Sequence, residues 1–233
     1  MVMCRGVLFA VRSMAVFILI LVLTVLGASP HALGATACER ITQSPYVSLD
    51  VNPGRINYIT NRNRAGLRQL HGGYQSAGAN WTPIGLTIAE LGLGLAVTVR
   101  AEAMSDGRFC AEIAAVEATL GYDVIDVYIA SEYPRGSCQY NAVLDHERLH
   151  VIVFQDTLKE YFPRIESALR HAAEKEKPIL ARDPDKATKK FQAILERTVK
   201  PLFHQINDTL DLGNGALDTR ENYEREQESC VSW

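Results

Sequence analysis

Apolar and polar residues alternate along the chain from Pro45 to Ser131, and a spacing of three and four residues takes over from there until about the last two dozen residues, a polar C-terminal segment. A period of two marks strands with one buried face, and a period near 3.6 marks amphipathic helices, so the pattern predicts a sheet followed by helices. Tyr46–Val51 and Arg55–Thr60 flank Asn52-Pro53-Gly54, the turn chemistry of a hairpin. Leu93–Ala103 and Arg108–Thr119 flank Asp106-Gly107, a second hairpin signal. Val124–Ala130 adds a strand just before the helical half, where an edge strand would align an extended peptide by β-addition. Asn61–Leu70 reads as a short helix or loop, and the Gly-, Ala- and Ser-rich stretch from Leu70 to Pro83 as a loop.

In the second half, Asn141 is expected to cap a helix from Ala142 to about Phe162, with Pro163 kinking it or restarting it as far as about Lys177. Asp183-Pro184-Asp185 marks a connection. Phe191, Ile194, Leu195, Val199, Leu202, Ile206 and Leu210 then form one helical face within Ala187–Leu212, which Gly213-Asn214-Gly215 is expected to end. The predicted fold class is α+β: an antiparallel sheet over residues 38–131 and a helical half over residues 132–233, in a single domain.

With 47% hydrophobic and 22% charged residues, the 233-residue chain has the composition of a globular protein. A net charge of -3 gives no basis for binding nucleic acid or an anionic membrane surface. Arg5 and Arg12 precede an apolar run, Met14–Ala28, and small residues follow to Ala37, so residues 1–37 read as a secretory signal cut after Ala35 or Ala37. Export to the periplasm or beyond the cell is expected, with an uncleaved inner-membrane anchor as the alternative. Removing the signal removes Cys4 and leaves Cys38, Cys110, Cys138 and Cys230, an even number in keeping with two disulfides. Three connectivities are open; the one expected here joins Cys110 to Cys138 and Cys38 to Cys230.

Within the first predicted helix stands His146-Glu147-Arg148-Leu149-His150, the HExxH pattern. Residues four apart share a helix face, so both imidazoles can reach one Zn2+ ion, while Glu147 is displaced toward the open coordination position as a general base. A catalytic zinc needs a third protein ligand and leaves the fourth position to water. If the two long helices form an antiparallel pair folded around Arg182, His146 lies level with Asp218 and His150 with Asn214. Asp218 is the preferred third ligand. Asp208, Asp211 and His204 are alternatives along one polar face, and Glu160 and Glu166 reach the ion only if Pro163 reverses the chain. Tyr223 is a candidate donor to an oxyanion, a metal ligand, or an aromatic packing residue.

The block Val127–Val151 together with Leu217–Tyr223 resembles a group of predicted secreted zinc-dependent proteases of bacteria, long catalogued as a domain of unknown function. The resemblance covers the second half of the mature chain well and the first half loosely. It implies a zincin-like fold, a bound zinc and peptide-bond hydrolysis, and it places an acidic residue at Asp218. Related members tend to read Asp-x-x-Thr-x-His-Gly there; this chain has Asp218 through Glu224 without the histidine. Arg148 also departs from the uncharged residue usual at that place in peptidases. The expected function is therefore a zinc-dependent peptidase acting on a peptide or protein through metal-activated water. Its ligands are His146, His150 and Asp218, with Glu147 and Tyr223 as catalytic groups. The alternative is a non-catalytic exported protein with a structural metal or a partner-binding surface.

Overall fold

The structure, a computed structural model, describes residues 2–10, 38, 43–70 and 82–233. The apolar run Met14–Ala28 and the loop after Leu70 fall largely or wholly outside the described residues, as do both expected cleavage points. Among the described residues, no helix is long and apolar enough to cross a membrane.

Two long strands organise the sheet: β4 (Gly85–Ala103) and β5 (Phe109–Ile129), antiparallel across the turn at Asp106-Gly107. The second predicted strand pair behaves differently. β2 (Tyr46–Asn52) and β3 (Arg55–Ile59) do not fold onto each other at Asn52-Pro53-Gly54; they run one after the other along the same edge of β5, both parallel to it. β1 (Val2–Ala10) pairs parallel with β4, and β6 (Ile179–Ala181) antiparallel with β5. Among the described residues three of the five pairings are thus parallel, and the antiparallel, zincin-like sheet expected from the sequence is not what the chain builds. Turn-forming residues report a local bend, whereas the strand partner is β5, whose paired residues lie about seventy positions later, as in Tyr46 with Ala115 and Arg55 with Val124. β2 passes so close to β5 that a Cβ on Gly121 (φ 149°) would lie 1.9 Å from the Asn52 carbonyl oxygen. Only glycine fits there.

Val124–Ile129 is not a separate edge strand either. It continues β5 and is paired on both sides, with β4 and with β3, so no peptide can add to it. A bulge opposite Ala89/Leu91 in the β4–β5 ladder shifts the alternation, so that Leu120, Tyr122, Ile125 and Val127 all reach the main core.

One face of the sheet is covered by α2 (Cys138–Lys175) and α3 (Pro184–Leu217), whose Phe154, Leu158, Ile165, Phe191, Leu195 and Phe203 fill the core against β4 and β5. Short α1 (Arg64–Leu70) packs Leu67 against Leu86, Tyr128 and Ala130 in a separate cluster. The helix boundaries differ from the predicted ones. Ser137, not Asn141, caps α2 by accepting a hydrogen bond from the Tyr140 amide, and α2 continues through Pro163 without reversing. Asp183 caps α3, which runs on through Gly213-Asn214-Gly215 to Leu217. A last helix, α4 (Arg220–Glu228), follows the Thr219 cap and contains no buried residue.

The disulfides are Cys38–Cys110 and Cys138–Cys230, not the expected Cys110–Cys138 and Cys38–Cys230. The first ties the segment before β2 to the start of β5, and the second ties the first residue of α2 to the end of α4. Cysteines pair with what lies beside them in space, and the end of α4 lies over the start of α2.

Candidate functional site

The antiparallel α2–α3 pair brings His146, His150 and Asp218 together as a possible metal-binding group. His146 and His150 are one turn apart on the buried face of α2, and Asp218 is the C-cap of α3, its amide donating to the Asn214 carbonyl at 3.1 Å. His150 Nε2 lies 3.1 Å from His146 Nε2, His146 Nε2 3.2 Å from Asp218 Oδ1, and His150 Nε2 3.3 Å from the same oxygen. Ligand atoms at the corners of a tetrahedron about 2.0–2.1 Å from zinc stand roughly 3.3 Å apart, so these three atoms already have the spacing a tetrahedral ion requires. The residues fit a zinc ion. The remaining candidates stay away: His204, Asp208, Asp211 and Glu160 are exposed, and Glu166 pairs with Arg170 at 2.9 Å.

Each imidazole is oriented through its other nitrogen. His150, fully buried, donates from Nδ1 to Asn214 Oδ1 at 3.0 Å, and His146 from Nδ1 to Glu226 Oε1 at 2.7 Å. Such outer partners fix the tautomer and leave Nε2 aimed at a metal. Asn214 reaches His150 because α3 comes very close to α2: a Cβ on Gly213 would lie 2.8 Å from Val153 Cγ1. Counting outward from Arg182 sets Asn214 level with His150, but its orienting role and Glu226 are not legible from that count. One signal was present: Tyr223 and Glu226 are three residues apart, on one face of a helix that begins just after Asp218.

The charges around His146 oppose its burial. Burial alone would lower its pKa, but hydrogen bonds to Asp218 and Glu226, with the nearby charge of Glu147, raise it to about 9. Burial would likewise raise the pKa of Asp218, yet the bonds from His146 and His150 hold it far below the usual carboxylate range. Tyr223 stacks obliquely on the His146 ring, centroids 5.2 Å apart, and its hydroxyl donates to Asp218 Oδ1. Burial, together with the Asp218 charge and bond, pushes that phenol well above its ordinary pKa and keeps it a proton donor.

Glu147 turns toward the sheet. The alternation along β4 points Gly85 and Thr87 at α2 and Leu86 at α1. Thr87 Oγ1 donates to Glu147 Oε2 at 2.6 Å, and any side chain at Gly85 would collide with Glu147 Oε1, 2.3 Å from a Cβ placed there. Glu147, His146, Gly85, Tyr223 and Glu226 line a cavity of about 10 Å³, room for roughly one water molecule. Arg148 leaves this site alone: it is exposed and pairs with Asp145 at 3.0 Å. A second cleft, about 580 Å³, lies against β4 and β5 between Leu70 and Tyr128, and among the described residues no histidine or cysteine lines it.

Comparison of the chain with family models, with curated proteins and with solved structures finds no match.

Proposed function

We propose that this chain is an exported zinc-dependent peptidase in which His146, His150 and Asp218 hold the ion and Glu147 handles the proton. The observation that carries the proposal is the triangle of 3.1, 3.2 and 3.3 Å among the three ligand atoms, formed by two imidazoles and a carboxylate with a glutamate beside them. Two histidines with one carboxylate are a known catalytic zinc set, and three protein ligands leave one position open. The resemblance of the HERLH block to secreted bacterial zinc proteases supports the same reading, and the two disulfides fit an oxidising compartment.

When bound, zinc supplies Lewis-acid polarisation and a water acidic enough to lose a proton near neutral pH. Glu147 would take that proton and return it to the leaving amine. Thr87 fixes one carboxylate oxygen, so the carboxylate is pre-aimed rather than searching rotamers. Asn214 and Glu226 hold the ligand rings, and Tyr223 holds Asp218. Tyr223 becomes an oxyanion donor only when its hydroxyl leaves Asp218.

Metal analysis with a Glu147→Gln variant tests the proposal: about one zinc per chain in both proteins, with cleavage lost in the variant. Cleavage unchanged in Glu147→Gln would remove Glu147 from the mechanism, and a wild-type protein that takes up no zinc would end the metal reading. A second reading, a structural metal site, is favoured by the narrowness of the space under Tyr223 and Glu226, about 10 Å³. Cobalt substitution separates the two, since a fourth protein ligand leaves no position that added azide can occupy.

A further inference from the structure

From residue 215 to the C-terminus Cys230 alone is buried. Yet α4 carries two walls of the site cavity, Tyr223 and Glu226, and the space beneath holds about one water. A helix with so little apolar burial is held by its points of attachment rather than by a core. Two are hydrogen bonds at the site, Glu226 with His146 and Tyr223 with Asp218. At its start the Asn222 side chain donates to the Ala216 and Leu217 carbonyls at 3.1 and 3.0 Å, beside the Thr219 cap, and at the far end stand the Cys138–Cys230 disulfide, the Gln139 side chain donating to the Ser232 carbonyl, and the Tyr133 and Trp233 rings in edge contact at 5.9 Å.

We propose that α4 is a strap over the His146/His150/Asp218 site, pinned by Cys138–Cys230, and that thiol–disulfide exchange at this bond admits a polypeptide. The inference rests on the peptidase reading for its substrate and on geometry alone for the strap. Asp218 belongs to α3, bonded to Asn214, so a strap pivoting at Thr219 leaves all three ligands in place. Only Glu226 and Tyr223 leave with it. With Tyr223 and Glu226 in place, the space beside His146 and Glu147 has room for roughly one water, so an extended backbone reaches Glu147 only when the strap lifts.

The chemistry requires a dithiol reductant. One of its thiolates attacks Sγ of Cys138, an exposed residue, forming a mixed disulfide and releasing the Cys230 thiolate, which takes up a proton. The second thiolate of the reductant then attacks its own mixed-disulfide sulfur and displaces the Cys138 thiolate, a good leaving group at the N-terminus of α2. The protein gains two thiols and the reductant ends as a disulfide. Cys38–Cys110 has its second sulfur on a buried residue of β5, away from the strap.

The test compares oxidised wild type, Cys138→Ser/Cys230→Ser and Cys38→Ser/Cys110→Ser. Amide exchange over residues 220–228 is read on metal-free protein, and cleavage of unstructured, labelled casein on zinc-loaded protein. Freeing the strap should speed exchange in 220–228 by roughly tenfold or more while residues 143–158 of α2 stay protected. Cleavage should rise by a comparable factor, with the Cys38→Ser/Cys110→Ser protein like wild type in both respects. Wild type reduced briefly with dithiothreitol and alkylated gives the comparison without a substitution. Unchanged exchange in both the serine variant and the reduced protein would overturn the strap, and so would full cleavage by the oxidised protein. Faster exchange without cleavage at any redox state would uphold the strap and sink the peptidase reading instead.

Discussion

The two histidines of the site are held from opposite kinds of structure. His150 is fully buried and bonded to Asn214, a residue inside α3, itself anchored by Phe191, Leu195, Phe203 and Leu210 in the main core. His146 is bonded to Glu226 on α4, a helix that buries nothing and depends on a disulfide and a few polar contacts. One side of the site is as rigid as the core; the other is as rigid as its attachments. A metal centre needs the first to keep its ligands in register, and an enzyme needs something like the second to let substrate in.

The largest expected effect comes from the rigid side. His150→Ala should abolish zinc binding and leave Asn214 without its buried partner, costing the metal-free fold about 2–4 kcal/mol. Equilibrium metal titration and urea unfolding measure the two parts separately. If His150→Ala bound zinc as tightly as wild type, the triad would not be the metal site.

Next comes Gly85→Ala. The added methyl meets Glu147 Oε1 at 2.3 Å and Val143 Cγ1 at 2.6 Å, so the carboxylate must turn away from its bond with Thr87. Because the ligands lie on α2 and at the end of α3, zinc should be retained while cleavage falls by roughly a hundredfold. Loss of zinc along with cleavage would show that α2 as a whole had shifted.

How much of this was visible in the sequence follows the same division. HERLH on a buried helix is a local pattern, and pairing two helices by counting outward from Arg182 is simple geometry. That counting placed Asp218 beside His146 and Asn214 beside His150, where the structure has them. Hidden were features decided by distant partners. Asn52-Pro53-Gly54 has the residues of a hairpin, but β2 and β3 find their ladder partner in β5 and lie in line along it. Gly213 looked like a helix stop because glycine so often is one; here its missing Cβ admits Val153. Glu226 sits in a segment whose polarity says only that it is exposed. The cysteine partners depend on α4 folding back over the start of α2, which no spacing reveals.

The two orienting groups offer a finer test. Asn214→Ala removes a buried partner and should lower zinc affinity by roughly 10–100-fold, with a stability loss of about 1–3 kcal/mol. Glu226 is partly exposed, its side chain 28% accessible, so Glu226→Gln should cost the metal about tenfold and metal-free stability less than Asn214→Ala does. Equal losses from both variants would mean that α4 is held as firmly as α3.

The smallest effect is on the pH dependence of metal-free stability, and it belongs to the His146 side. His146 has a folded-state pKa near 9 against an ordinary 6.5, raised by Asp218 and Glu226 against the pull of burial. In the folded state it therefore binds its proton more tightly than in the unfolded chain. Its contribution is fully present below about pH 6.5 and fades as the pH climbs toward 9, a loss of roughly 1–3 kcal/mol. Chelator-treated protein should accordingly unfold more easily at pH 9 than at pH 6.5 in urea titrations. Glu226→Gln should flatten that slope, since it removes one of the two carboxylates responsible. Zinc-loaded protein should show no such decline, because the ion needs Nε2 unprotonated and competes with the proton. A metal-free protein equally stable at both pH values would mean that His146 is neutral at rest, and that Glu226 orients the ring without charging it.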